Sequence, residues 1–204
     1  MLVDFSKTAK RKGRTNGFTM LELIVVMAII SIMTVVAVPS FMRAYRGYQL
    51  NDAAYKVAGI LKFTHFEAVR LNVAFLTPLK AQVSNGQAQA GTYIFTDSNN
   101  DGTVQQGERQ NLFTGAVNLV PAALPPNTGG LAAAVGVPVF TNISPTNGSI
   151  SFDQRGAVVP PSVSVLYVGN TGLPTLGYRA IVVLPTGSIQ VWSCDSGGNW
   201  LRVN

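Results

Sequence analysis

Gly17-Phe18-Thr19-Met20-Leu21-Glu22 begins a run, GFTMLELIVVMAIISIMTVVAV over 17–38, in which Glu22 is the one ionisable side chain. At about 1.5 Å per residue, Phe18 to Val38 would make a helix of roughly 30 Å, the thickness of a bilayer's hydrocarbon core. It is read as a membrane-spanning helix. Ahead of it, Lys7, Lys10, Arg11, Lys12 and Arg14 stand against Asp4 alone, a positive block of the kind held on the cytoplasmic side. A secretory signal has a shorter apolar core and a small-residue cleavage site on its far side. Nothing after Val38 has that pattern, so the helix is expected to be retained. Hydropathy alone would suit a plain signal anchor. Glu22 separates the two readings, because a carboxylate among lipid tails is costly and wants a cationic partner.

A basic leader, Gly17, the sequence Phe18-Thr19-Met20-Leu21-Glu22 and an apolar helix interrupted by Pro39 together resemble the class III signal of type IV pilins and type II secretion pseudopilins. The resemblance implies that a membrane prepilin peptidase cuts between Gly17 and Phe18 on the cytoplasmic side, and that the new N-terminal Phe18 is N-methylated. It also implies that Glu22 pairs with the N-terminal amine of a neighbouring subunit during filament assembly. Electrostatics agree with that role. An unpaired carboxylate in a low-dielectric bundle of helices is costly, so a subunit in the right axial register is favoured over one out of register.

Charge bounds the partners. The 204-residue chain has a formal charge of +6 and a pI near 9.7, which taken alone would suggest nucleic acid. Removal of residues 1–17 takes away five cations and one anion and leaves ten against eight, so the pI cannot carry such a claim. Cys194 is the only cysteine, which rules out an intrachain disulfide and leaves a small packed residue as its reading. His65 is the only histidine and is read as an interface or surface residue. No histidine pair, no G-x-S-x-G elbow and no strand-to-helix phosphate loop is present, Ser196-Gly197-Gly198-Asn199 included. Trp192 and Trp200 are read as packing. No enzymatic activity is expected.

Beyond the span, Pro39 should kink or loosen the helix. Leu50, Ala54, Val57, Leu61, Thr64, Ala68 and Leu71 then recur at alternating steps of four and three, a stripe that should pack on a globular domain. Asp52 with Lys56, and Glu67 with Arg70, stand one turn apart and suit a solvated face. After Asn72 the signal changes to short β-rich pieces: Thr92–Thr96, Gln110–Phe113, Ser149–Asp153, Val163–Val168, Gly177–Leu184 and Ser188–Trp192. The uncharged stretch Gly115–Pro145 is read as a surface insertion. The resulting fold class is α+β. A cleaved leader 1–17, a transmembrane helix 18–38 and an amphipathic stalk helix 39–72 precede an antiparallel β-sheet head, 73–204.

Later segments extend the resemblance. Tyr93 to Gly102 with Gly107-Glu108, then Ile150 to Gly156, then Tyr178 to Val183 with Thr186-Gly187 are similar, in order, to the head of the GspH/FimT group of minor pseudopilins and minor pilins. DNA-binding minor pilins of that group carry a basic Gly-Arg-x-Arg segment near the C-terminus, whereas this chain has Gly187-Ser188-Ile189-Gln190. Without those cations a nucleic-acid partner is disfavoured. The resemblance therefore implies a minor pseudopilin of a type II secretion pseudopilus, with a minor type IV pilin as the alternative. It places the chain in the inner membrane as a single-pass protein with a periplasmic head. Its implied partners are prepilin peptidase, other pilins or pseudopilins, and a secreted substrate or outer-membrane secretin.

One further motif stands out. Asp97 to Glu108 fits the calcium-loop pattern D-x-[DN]-x-[DN]-G-x5-E, with Asp97, Asn99, Asp101, the Thr103 carbonyl and Glu108 as candidate ligands. Its flanks YIFT and RQNLF read as strands, however, and not as the two helices of an EF-hand. The alternative is a tight hairpin in which Asn and Asp cap their own backbone and Asp101-Gly102 makes the turn.

Overall fold

The computed structural model describes residues 17–73, 77–85 and 91–203 and divides into two units, Met1–Met42 and Arg43–Asn204. The leader cations lie outside the described residues. A single helix, α1 (Met20–Arg70), runs 51 residues. In the first unit, every described residue of α1 is exposed, and the apolar window long enough to cross a membrane has nothing packed on it. Pro39 lies inside α1 without ending it: proline removes one i→i−4 bond, while the turns on either side keep theirs.

In the second unit the helix behaves as its periodicity predicts. Leu50, Ala54, Val57, Leu61, Thr64 and Ala68 are buried, joined by Ala53, Ala58 and Ile60. Leu71 departs from the expected stripe and is half exposed. The cause is a Schellman close. Asn72 takes a left-handed φ of +48°, its N–H reaches the Val69 carbonyl at 3.2 Å, and the Val73 N–H reaches that of Ala68 at 3.2 Å, so the helix ends before Leu71 can face the core.

Eleven strands follow among the described residues: β1 (Leu79–Asn85), β2 (Thr92–Asp97), β3 (Gln110–Phe113), β4 (Val117–Val120), β5 (Thr141–Asn142), β6 (Ser149–Phe152), β7 (Val158–Val159), β8 (Ser164–Asn170), β9 (Tyr178–Val183), β10 (Ile189–Cys194) and β11 (Trp200–Val203), with a second helix, α2 (Thr128–Val135), between β4 and β5. They form two sheets. One is ordered β3-β2-β1-β6-β7 and the other β11-β10-β9-β8-β4. All pairings along both orders are antiparallel, while β5 lies parallel to the start of β8.

Both sheets contribute to the core under the helix. Leu50, Val57 and Leu61 cluster with Ala81, Val83, Ile94 and Phe152 from the first sheet and with Leu166, Val168, Ile181 and Val183 from the second. The opposite face of the second sheet has its own cluster, in which Val165, Tyr167, Val182 and Trp192 meet Val120, Leu131 and Trp200. Strands β8 and β9 are therefore covered on both faces, which explains why SVLYVGN is buried along its whole length and reads as a continuous run instead of an alternation.

That second cluster corrects the reading of Gly115–Pro145 as a surface insertion. Val117–Val120 is a ladder partner of β8, and Leu131 of α2 is fully buried. Helix α2 carries Gly129 and Gly130, poor helix formers, in its first turn and owes its position to its ends. Asn127 caps it, its Oδ1 accepting from the Gly130 N–H at 3.0 Å, and Gly136 closes it in the left-handed region. The Asn127 carbonyl also accepts from Trp200 Nε1 at 3.0 Å, and its amide donates to the Gly198 carbonyl at 3.1 Å.

Candidate functional site

At the head of α1, Gly17, Phe18 and Thr19 precede the helix and are exposed. A Cβ added at Gly17 would meet no atom within 4 Å, and Phe18 keeps 78% of its surface. The Gly17–Phe18 peptide bond therefore lies in open, non-helical backbone. Thr19 is the N-cap: its Oγ1 accepts from the Glu22 N–H at 3.2 Å, and its carbonyl takes the first helical bond, from Leu23 at 3.1 Å. Thr19-Met20-Leu21-Glu22 is thus the Thr-x-x-Glu frame of a capping box. Glu22 occupies the third helical position, where the positive end of the helix dipole favours a carboxylate. Thr19 is the residue that reading the sequence left without a role, although its spacing from Glu22 was there to be seen.

Farther along the span, two hydroxyls are satisfied inside the helix. Ser31 donates to the Met27 carbonyl and Thr34 to that of Ile30, both at 2.8 Å, so neither presents an open polar group to a hydrocarbon environment. Glu22 stays the one carboxylate of the run.

The acidic loop joins β2 to β3. Both oxygens of buried Asp97 accept backbone N–H groups, from Asp101 at 3.2 Å and Gly102 at 3.0 Å. Asp101 accepts from the N–H and the hydroxyl of Thr103, each at 2.8 Å, and from the amides of Asn99 and Gln105. The Thr103 bonds, backbone first, hold its carboxyl below the usual range. Glu108 accepts from Ser98 N–H at 2.9 Å and Gln105 N–H at 3.1 Å. The turn residues Asn100 and Gly102 both have left-handed φ. The candidate side chains Asp97, Asn99, Asp101 and Glu108 are thus all engaged within the loop. Among the described residues no three acidic, histidine or cysteine side chains converge as a metal site. This geometry fits the self-capped hairpin.

Other singled-out residues are packed. Trp192 and Trp200 are buried in the second cluster, and Cys194 is buried beside them, with its thiol pushed up by desolvation. His65 is wedged against Phe152, ring centroids 5.7 Å apart and nearly perpendicular, and against the two glycine turns at Gly156 and Gly187. The Gly187–Gln190 stretch serves packing too, since Gln190 accepts from Trp192 Nε1 at 3.2 Å. Asp52 and Lys56 pair at 2.8 Å on exposed positions, and half-buried Glu67 pairs with exposed Arg70 in the last turn of α1.

Comparison with known proteins agrees with the N-terminal geometry. Residues 12–38 match the family described as the prokaryotic N-terminal methylation motif. No curated protein matches the chain in sequence. Two crystal forms of the type IV minor pilin FimU of Pseudomonas aeruginosa strain PAO1 are similar in fold, with a TM-score of 0.46 and 16% identity in each; the similarity covers 71% and 70% of this chain and 88% and 91% of that one. The chain thus carries the prokaryotic N-terminal methylation motif over residues 12–38, at the head of a long apolar helix.

Proposed function

We propose that the chain is a minor pseudopilin, a structural and non-catalytic subunit of a type II secretion pseudopilus. The observation that carries this reading is Glu22, a lone carboxylate in the capped first turn of a helix whose first unit is apolar and wholly exposed. Such a surface has to be covered by lipid before assembly and by other helices after it, and Glu22 makes the second state depend on register. Processing precedes assembly. Prepilin peptidase cuts the open Gly17–Phe18 bond, leaving Phe18 as the N-methylated terminus and Thr19 as the cap that starts the helix. The new amine of one subunit then partners Glu22 of the next, and the helix packs among those of other pilins or pseudopilins.

Before assembly the protein sits in the inner membrane with its head in the periplasm, where the head offers a surface to the secretin or to secreted cargo. The choice of a secretion filament over a type IV pilus is supported by the Gly187–Gln190 stretch, which lacks the basic side chains of DNA-binding minor pilins. A deletion strain separates the two. Loss of secretion with intact pili is expected; loss of pili or of DNA uptake with intact secretion would instead make the chain a minor type IV pilin. For the cleavage step, Gly17→Val should leave the protein at precursor size on electrophoresis, and mature-sized protein in that variant would refute the assignment.

A further inference from the structure

The second unit holds an open groove of about 590 Å³, lined by Arg46, Asp52 and Lys56 from α1, by Phe113 and Val117 from β3 and β4, and by Asn170 from the end of β8. That volume falls in the range of roughly 300–1,000 Å³ typical of ligand sites. Two of these residues have donors to spare. Arg46 is half-buried, and no hydrogen bond or ion pair among the described residues engages its guanidinium. Asn170 keeps only 5% of its surface. Its Oδ1 accepts from the Gly172 N–H at 3.0 Å, which fixes the orientation of the amide and leaves Nδ2 with no partner among the described residues. Tyr167 alone among them has a fully enclosed polar atom without a partner, so Asn170 Nδ2 keeps an opening, and the groove that the residue lines is where it opens. A donor in so enclosed a place costs free energy until it is paired.

Charge defines what the groove takes. Asp52 is the only carboxylate among the lining residues, and Lys56 holds it at 2.8 Å, so Arg46 and Lys56 against Asp52 leave one positive charge in surplus. A single surplus charge beside a neutral amide donor suits a carboxylate better than a phosphate dianion, and the guanidinium fork matches carboxylate geometry. Phe113 and Val117 add apolar surface for a hydrocarbon group next to that carboxylate. The strands add direction. Each of β3 and β4 is the last strand of its sheet, and an outer edge leaves backbone donors and acceptors without ladder partners, which an extended chain can pair with.

We propose that this groove binds the C-terminal carboxylate of an extended peptide with apolar final residues, the carboxylate meeting Arg46 and Asn170 and the apolar side chains meeting Phe113 and Val117. Every group that builds the site lies in the second unit, so it stands or falls apart from the role of Glu22. The test uses the full chain in detergent micelles and a pool of fluorescein-labelled hexapeptides ending in Leu, Val or Phe, each prepared with a free or an amidated C-terminus. Fluorescence anisotropy, read against empty micelles, should show the free acids binding about tenfold more tightly than the amides, the worth of one hydrogen-bonded charge. Arg46→Gln should remove most of that preference. Asn170→Asp keeps an acceptor for the Gly172 N–H but sets a like charge against the ligand, and should weaken the acids while sparing the amides. No saturable binding by the unaltered chain, or equal affinity for acids and amides, overturns the proposal. Displacement of the peptides by N-acetylvaline at matching concentrations would overturn the peptide as ligand and reassign the groove to small carboxylates.

Discussion

The hydroxyls of Thr64 and Thr96 lie 2.8 Å apart, joining α1 to β2 across 32 residues of sequence inside the apolar core. Thr64 also contacts the Ile60 carbonyl at 2.9 Å, so a consistent arrangement has Thr96 donating to Thr64 and Thr64 donating to its own helix. Thr64→Val leaves the Thr96 hydroxyl buried without an acceptor and should cost about 1–3 kcal/mol. Thr64→Val with Thr96→Val should cost less than the two single changes added together. Denaturant unfolding of the three variants measures the coupling, and strict additivity would show that the pair does not act as a unit.

His65 fills the gap between two turns that only glycine can make. A Cβ at Gly156 would stand 2.2 Å from His65 Nε2, whereas one at Gly187 would stand 2.1 Å from the Gly156 carbonyl oxygen; both residues have left-handed φ. Each alanine substitution therefore pays left-handed strain of about 1–2 kcal/mol and adds a clash. The clashes differ in kind. His65→Ala should recover part of the loss in Gly156→Ala and much less in Gly187→Ala, whose closest obstacle is backbone. Equal rescue in both, read from thermal melts, would contradict this packing.

Tyr167 is buried at the second cluster, and its hydroxyl finds no hydrogen-bond partner among the described residues; desolvation pushes its pKa up to about 12. Removing an unsatisfied buried group stabilises or does nothing. Tyr167→Phe is expected to raise stability by up to about 1 kcal/mol, whereas a loss of more than that in denaturant unfolding would reveal a partner.

Acid should weaken the head through its capped turns. Asp101 is held below the ordinary carboxylate range chiefly by the Thr103 backbone and hydroxyl, and Asp195 chiefly by Asn199. A depressed folded pKa gives stability that is present above the unfolded value and lost as pH falls through the folded one. The melting temperature should thus hold above about pH 4 and fall below it, less steeply in Asp101→Asn with Asp195→Asn. Chelation is the companion test. Because the loop closes with its own donors, EDTA should leave the melting temperature unchanged at neutral pH. A drop restored by calcium would show that an ion completes the ring of Asp97, Asn99, Asp101, Thr103 and Glu108.

Much of this structure is legible in the sequence where one physical signal dominates. The seven-residue recurrence from Leu50 to Ala68 marks the buried stripe, and the strands rich in Val, Ile and Tyr fall close to their observed bounds. What escapes is fixed by tertiary contact. In β1 the buried positions Leu79, Ala81 and Val83 alternate with half-buried Lys80 and Gln82, residues with little strand preference of their own. Helix α2 depends on Asn127, Gly136 and the burial of Leu131, none of which shows in a Gly- and Ala-rich stretch. The Schellman turn at Asn72 withdraws Leu71 from a periodicity that the sequence continues. At the N-terminus, by contrast, the Thr19 cap on the Glu22 N–H follows from spacing alone, and it lies within six residues of the open Gly17–Phe18 bond of the candidate site.

The proposed role of Glu22 is to set the register of a processed subunit among its neighbours. Its most direct measurement is the fate of Glu22→Ala in cells, followed by fractionation and by electrophoretic size. The variant should be inserted, cleaved to mature size and held in the membrane fraction, yet be missing from sheared filaments and unable to support secretion. Entry of the cleaved variant into filaments at the wild-type level would show that Glu22 does not set register.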